Sequence, residues 1–87
     1  MVSEKVTVVN PSGLHLRPAG IFCNKAMEYR CQIQFTVGHT TGNAKSVLSV
    51  LGACIKCGDE LTIICSGPDE EEALAAMTDL VASGIGD

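Results

Sequence analysis

The stretch of residues 31–37 alternates apolar and polar side chains without a break. Apolar residues such as Ile33 and Phe35 fall on one side, and the glutamines and threonine between them fall on the other. A period of two residues predicts a β-strand with one face in a core and one face in solvent. Residues 2–9 and 61–66 follow the same pattern. Strands that are apolar on a single face are typical of an antiparallel sheet covered on one side only.

Two other segments, residues 16–27 and 69–83, show the spacing of amphipathic helices. Residues 46–52 also predict a short helix, but one with apolar residues on too many faces for a simple surface helix. Pro18 fits only the first turn of a helix, because there its missing N–H group costs nothing. The first helix is therefore predicted to begin near His15. Its predicted apolar stripe consists of Leu16, Ala19, Gly20, Cys23, Ala26 and Met27.

The third helix has its own start signal, since Asp69 is followed three residues later by Glu72, which predicts a capping box. A very short strand is predicted within the turn-rich residues 38–43. The order is therefore strand, helix, strand, short strand, helix, strand, helix. It predicts an α+β fold, an open two-layer sandwich in which helices cover one face of an antiparallel sheet. The chain of 87 residues has room for one domain, which we place at residues 1–87.

Directly before the first helix stands the heptapeptide Gly13-Leu14-His15-Leu16-Arg17-Pro18-Ala19. A helix start favours anions, because its first N–H groups lack partners within the helix and its dipole attracts negative charge. A neutral imidazole at this position is a usable nucleophile toward a phosphoryl group, and Arg17 could pair with the new phosphate oxygens. The residues alone leave a second interpretation open, in which His15 only caps the helix or packs against it.

The composition argues against several classes of function. The net charge of −4 and the aromatic fraction of 3% argue against a nucleic-acid-binding protein. No apolar run approaches the ~20 residues needed to cross a bilayer, so we expect no membrane insertion. The N-terminal residues lack a signal-peptide pattern, and the five cysteines cannot all pair with one another because their number is odd. We therefore expect a cytoplasmic protein with reduced thiols.

The heptapeptide closely resembles the active-site signature of HPr, the family of histidine-containing phosphocarriers of the bacterial phosphoenolpyruvate:sugar phosphotransferase system. Lys45-Ser46 before a short apolar helix and Gly58-Asp59-Glu60-Leu61 before a strand also stand where that family has them. The resemblance implies four antiparallel strands and three helices in the order βαββαβα. It implies a carrier rather than an enzyme with turnover.

In that family's scheme, His15 would accept a phosphoryl group on Nδ1 from phospho-enzyme I and pass it to a sugar-specific enzyme IIA in sugar uptake. Arg17 would stabilise the group during transfer. The resemblance implies no metal and no cofactor on the chain, and we expect the carrier to act as a monomer.

Ser46 is, from the residues alone, an N-cap for the second helix. The resemblance adds a regulatory role, in which an HPr kinase/phosphorylase phosphorylates Ser46 and a transcription regulator becomes a further partner. The family docks its partners on the exposed face of this helix, beside the histidine. We expect Val50 to be buried and the docking surface to consist of Leu16, Gly20, Val47, Leu48 and Leu51.

The chain departs from the family at several charged positions. Several members carry lysines that help to dock acidic partners at the positions of Asn24, Met27 and Ser49, and this chain has none of the three. We therefore expect a more apolar docking surface, and an association rate that depends less on salt.

Cys54 and Cys57 form a Cys-x-x-Cys motif, which is typical of a redox pair or of half a zinc site. A zinc site needs four ligands, and the sequence has no second motif of this kind. Cys23, Cys31 and Cys65 lie on apolar faces and are expected to act as small core residues. Two alternatives therefore remain open. One is an HPr-like regulatory binding module that does not feed sugar transport, and the other is a small redox or metal protein that uses Cys54 and Cys57.

Overall fold

The computed structural model describes residues 1–85. Within them the chain forms four strands, β1 (Val2–Thr7), β2 (Gln32–Val37), β3 (Thr40–Asn43) and β4 (Glu60–Ser66), and three helices, α1 (Leu16–Ala26), α2 (Val47–Gly52) and α3 (Glu70–Ala82). This is the predicted order βαββαβα. None of these three helices is both long enough and apolar enough to cross a membrane.

The four strands form one antiparallel sheet in the spatial order β1-β4-β2-β3. β4 lies in the middle and pairs with two strands, so that Cys65 stands opposite Val2 on one side and Ile33 on the other. β3 is a short edge strand that pairs only with β2. The predicted antiparallel sheet is thereby confirmed, and its two outer strands come from different parts of the chain.

The core lies between one face of the sheet and the helices. β4 shows the alternation clearly, because Leu61, Ile63 and Cys65 are buried while the residues between them are partly exposed. From α1, the ring of Phe22 meets the ring of Phe35 edge to face, with 6.3 Å between the ring centroids. An edge-to-face contact is favourable because the positive ring edge meets the negative ring face. The predicted alternation of strand residues is therefore confirmed.

The predicted apolar stripe of α1 is wrong at its two ends. Leu16 is 70% exposed and Met27 is 64% exposed. Phe22, which the stripe omitted, is fully buried, between Ala19 and Ala26 on the same helix face. Because Leu16 begins the helix and Met27 is its C-cap, neither residue reaches the sheet that the middle of the helix covers.

The predicted capping box of α3 is also wrong. Asp69 occupies the N-cap position, but its side chain makes no capping hydrogen bond. Its carboxylate instead accepts hydrogen bonds from the backbone N–H groups of Arg30 (2.8 Å) and Cys31 (2.9 Å). These bonds, that of Arg30 above all, hold the pKa of Asp69 below its usual value. A contact between distant segments has replaced the local cap, and it ties the start of β2 to the start of α3.

Several element boundaries differ from the prediction by one or two residues. β1 ends at Thr7, although Val8 still exchanges backbone hydrogen bonds with the loop before β4, to Asp59 O (2.9 Å) and from Gly58 N (2.8 Å). Cys31 stands just before β2, and Met27 stands just after α1. Differences of this size are usual at element ends, where the ladder of hydrogen bonds frays.

Candidate functional site

His15 is the N-cap of α1, with an extended backbone (φ −86°, ψ −165°). Its carbonyl oxygen accepts the first hydrogen bond of the helix, from the N–H of Ala19 at 2.8 Å. Its imidazole is exposed, and Nε2 lies 2.8 Å from the hydroxyl oxygen of Ser12. The prediction that the first helix begins at this histidine is confirmed. The side chain makes no capping hydrogen bond, which removes the simplest structural role considered for it.

A tight turn before His15 fixes the position of the ring. The N–H of Gly13 bonds to the carbonyl of Asn10 at 3.0 Å, and the buried side-chain amide of Asn10 donates back to the carbonyl of Gly13. The next N–H, that of Leu14, bonds to the carbonyl of Ile55 at 3.0 Å. The histidine turn, as we name residues 10–15, is therefore held both from within and by the segment after α2.

Gly13 is required in this turn for two reasons. Its φ of +67° is a left-handed conformation that residues with a side chain rarely adopt. A Cβ atom there would also stand 2.5 Å from the carbonyl oxygen of Ile55 and 2.9 Å from Cα of Lys56, both of which are backbone atoms. Any larger residue would push Ile55 and the turn apart.

The first turn of α1 places positive charge next to His15. The N–H groups of Leu16 and Arg17 come first in the helix and have no acceptor within it. Arg17 is exposed, and its guanidinium forms no salt bridge with any residue from 1 to 85. Pro18 is buried at the third position of the helix. This position lies in the first turn, as predicted from the missing N–H group of proline.

Ser46 is the N-cap of α2, and its hydroxyl oxygen accepts a hydrogen bond from the N–H of Ser49 at 3.2 Å. The capping role predicted for Ser46 is confirmed. Lys45 directly precedes Ser46, and its carbonyl accepts a hydrogen bond from the thiol of Cys23 in α1 at 3.0 Å. This bond fixes the start of α2 against α1, and so relates Ser46 to the helix that begins at His15.

The apolar residues of α2 divide between the core and the surface as expected. Val50 is fully buried, Leu48 is 80% exposed, and Val47 and Leu51 are half-buried. Gly20 of α1 is half-buried as well. Leu51 and Leu16 line the same shallow depression as His15, which has a volume of about 300 Å³. The structure thus brings part of the predicted docking surface next to the histidine.

Two residues that support His15 were not predicted from the sequence. Ser12 was assigned only to a turn, although its position three residues before the histidine is a local signal that it contacts the ring. Ile55 gave no signal at all, because its bond to Leu14 joins residues far apart in the chain.

The cysteines fall into two groups. Cys23, Cys31 and Cys65 are buried, which confirms the core role predicted for them, whereas Cys54 and Cys57 are exposed. Burial, followed by the contact with Asp69, raises the pKa of Cys31 to about 12, so this thiol stays protonated at neutral pH. Within residues 1–85, no three cysteine, histidine or acidic side chains come together in a group that could hold a metal ion.

Comparison with known proteins agrees with this geometry. Residues 2–83 match a family model described as "PTS HPr component phosphorylation site". The chain is 33% identical to the phosphocarrier protein HPr of Lysinibacillus sphaericus over 93% of this chain and 92% of that protein. It is 33% identical to the HPr-like protein Crh of Bacillus subtilis over 98% of this chain and all of that one. The solved structure of an HPr from Thermoanaerobacter tengcongensis superposes with a TM-score of 0.95 at 32% identity, covering 100% of this chain and 98% of that chain.

Proposed function

The chain belongs to the HPr family of the phosphotransferase system, and we propose that His15 is the residue on which it carries a phosphoryl group. In this proposal His15 takes the group from phospho-enzyme I and gives it to a sugar-specific enzyme IIA during sugar uptake. The observation that carries the proposal is an exposed imidazole at the start of α1, with its ring fixed by Ser12. We treat residues 1–87 as one domain that performs this role.

The contact with Ser12 favours Nδ1 as the nucleophile. If the proton of the neutral ring resides on Nε2, that N–H donates to the hydroxyl oxygen of Ser12 across the observed 2.8 Å. Nδ1 then keeps its lone pair for attack on phosphorus. A nitrogen–phosphorus bond forms at Nδ1 while the bond between phosphorus and the donor breaks, and the donor leaves with its electron pair. The reverse steps deliver the group to the acceptor, so the carrier is regenerated by its partners and is not an enzyme with turnover.

The first turn of α1 is suited to stabilise the new anion. The N–H groups of Leu16 and Arg17 and the positive end of the helix dipole face the region of negative charge that transfer creates. The Arg17 guanidinium, which has no salt bridge among the described residues, supplies charge-assisted donors. In this proposal Arg17 stabilises the phosphoryl group and the backbone N–H groups assist.

Ser46 is proposed as a regulatory phosphorylation site for an HPr kinase/phosphorylase. Its partial exposure at the start of α2 supports access by a kinase, and a phosphate near a helix start is favourable. The added charge would stand beside the exposed Leu48 and change which partners bind there. A transcription regulator that reads this charge is a further partner in the proposal.

The docking surface proposed for these partners consists of Leu16, Gly20, Val47, Leu48 and Leu51. Leu16 and Leu48 are the most exposed of these, at 70% and 80%. Large apolar side chains left in solvent are typical of sites where another protein binds. We propose that enzyme I and enzyme IIA cover this surface in turn, while the carrier itself acts as a cytoplasmic monomer.

The decisive experiment is phosphorylation by enzyme I and labelled phosphoenolpyruvate. The wild-type chain should take up label that is lost in acid, as phosphohistidine is, and the His15→Ala variant should take up none. The matched variant Ser46→Ala should be labelled as the wild type is, since its hydroxyl plays no part in this reaction. Full labelling of His15→Ala would contradict the assignment.

A second candidate function is a regulatory module of the same fold that docks to a kinase or regulator and does not feed sugar transport. The likeness to the HPr-like protein Crh favours considering it. His15 and Arg17, both present and exposed, argue against a purely regulatory role. A chain that enzyme I phosphorylates but that cannot pass the group to any enzyme IIA would support this second candidate.

The remaining alternative, a small redox or metal protein, would depend on Cys54 and Cys57. Both thiols are exposed, and no third ligand joins them among the described residues. Native mass spectrometry under reducing conditions tests it, because bound zinc would add a defined mass.

A further inference from the structure

The two exposed thiols flank the two residues that support the histidine turn. Cys54 and Cys57 are both exposed, whereas the other three cysteines are buried. Between them stand only Ile55 and Lys56. The carbonyl of Ile55 bonds to the N–H of Leu14 at 3.0 Å, and backbone atoms of both residues border Gly13. A rearrangement of residues 54–57 would therefore displace the carbonyl of Ile55 and disturb the turn before His15.

The surroundings of each thiol leave it accessible. Cys54 lines the depression of about 300 Å³ that also contains His15, and its φ of +53° is left-handed, a conformation that costs energy for a residue with a side chain. Cys57 makes one weak contact, from its Sγ to the carbonyl of Val9 at 3.7 Å. An oxidant that enters from solvent therefore reaches these two thiols before the three buried in the core.

We propose that Cys54 and Cys57 form a reversible disulfide that withdraws Ile55 from Leu14 and so disturbs the turn that holds His15. A disulfide brings the two Cα atoms to within about 4.4–6.8 Å of each other. In this structure Ile55 and Lys56 belong to no helix or strand. The carbonyl of Lys56 accepts from the N–H of Asp59 at 3.0 Å, and the N–H of Lys56 donates to the Asp59 carboxylate at 2.9 Å. In the proposal, closing the disulfide tightens the segment between Cys54 and this turn. Release of the left-handed backbone at Cys54 favours this rearrangement.

The oxidation balances with hydrogen peroxide as the oxidant. One thiolate attacks a peroxide oxygen, the O–O bond breaks, and the first water leaves after protonation. The second thiolate then attacks the sulfenic sulfur, the S–S bond forms, and a second water leaves. Two thiols lose two electrons in total, and the peroxide gains them. A dithiol reductant reverses the reaction by thiol–disulfide exchange.

The effect on phosphorylation rests on the proposed function, but the disulfide and its effect on the turn do not. The first measurement therefore needs no enzyme I. The reduced chain is treated at low concentration with diamide, a diazene oxidant that takes two electrons and two protons from a pair of thiols. We expect peptide mapping to show a Cys54–Cys57 link within one chain, and hydrogen exchange to show weaker protection of the Leu14 amide.

The second measurement compares His15 phosphorylation by enzyme I in the oxidised and reduced states. We expect oxidation to slow it roughly 10-fold or more, because small displacements of a reacting group cost rate steeply, and dithiothreitol to restore it. The matched variant Cys57→Ser keeps Cys54 but has no partner for it, so diamide should change neither its Leu14 exchange nor its phosphorylation.

The results separate the two proposals. If the reduced chain is not phosphorylated at all, the proposed function fails. Peptide mapping and hydrogen exchange of the Leu14 amide still test the disulfide proposal in that case. The disulfide proposal is overturned if diamide produces no Cys54–Cys57 link, or if the link forms while the Leu14 amide stays fully protected. Its control of the carrier is overturned if the linked chain is phosphorylated as fast as the reduced one.

Discussion

The backbone at Cys54 is left-handed, with φ at +53°. For residues other than glycine, this conformation brings Cβ too close to the neighbouring carbonyl oxygen and costs roughly 1–2 kcal/mol. Cys54 follows Ala53, the C-cap of α2, and precedes Ile55, whose carbonyl supports the turn before His15. Cys54 therefore holds an unfavourable backbone conformation between α2 and the residue whose carbonyl supports the turn before His15.

We predict that Cys54→Gly raises the free energy of unfolding by about 1 kcal/mol, because glycine adopts positive φ without strain. Urea unfolding monitored by circular dichroism measures the change. Cys57→Gly is the matched control, since Cys57 has no positive φ, and it should not stabilise the chain. A Cys54→Gly variant less stable than the wild type would show that the thiol contributes more than the backbone costs.

Asp69 shows how elements far apart in sequence are joined. Its carboxylate accepts from two backbone N–H groups at the start of β2 while its own backbone begins α3. Glu70 accepts from a near and a distant donor, the N–H of Gly67 three residues before it and the N-terminal amine of Met1. These contacts, that of Gly67 first, lower the pKa of Glu70. The entry to α3 is therefore fixed by acceptors that must be ionised to work well.

We predict that acid weakens the fold through Asp69. Its pKa is lower in the folded chain than its usual value of 3.8, so the stabilisation is complete at neutral pH. It is lost as the pH falls from about 5 through the lowered pKa of the folded state. Asp69→Asn should therefore lower stability at pH 7, and the difference from the wild type should shrink towards pH 2. Urea titrations at several pH values measure this, and a difference independent of pH would contradict it.

The strands, the helices and their order could be predicted from the sequence because each depends on local periodicity. The start of α1 was also predictable, because Pro18 fits only the first turn of a helix. Contacts between distant segments could not be predicted in this way. Nothing in the sequence near Asp69 indicates that its carboxylate accepts hydrogen bonds from the backbone N–H groups of Arg30 and Cys31. The exposure of Met27 depends on where the helix lies on the sheet, and periodicity alone does not give that.

Over the whole molecule, positive charge is sparse. The net charge is −4, with only six lysines and arginines in the sequence. Met27, at a position where several members of the family carry lysine, is 64% exposed at the end of α1. The chain therefore offers a partner few positive charges, whereas Leu16 and Leu48 of the proposed docking surface are exposed apolar side chains.

We predict that the chain associates with enzyme I at a rate near the unsteered range of about 10⁵–10⁶ M⁻¹s⁻¹, with little dependence on salt. Stopped-flow measurements at several ionic strengths test this. Met27→Lys places a cation at a position where several members of the family carry lysine, so it should speed association at low salt and make the rate depend more strongly on salt. A steep fall in the wild-type rate with added salt would contradict the prediction.

The position of β4 in the middle of the sheet determines when the sheet can form. β1 comes first in the chain, yet its partner is β4, and β2 also needs β4 on one side. Because β4 is the last strand to be synthesised, a ribosome must complete residue 66 before the first strand finds its neighbour. Until then only the hairpin of β2 and β3 can close locally. Long-range pairing of this kind slows folding, so the chain assembles around its final strand and not in the order in which it is made.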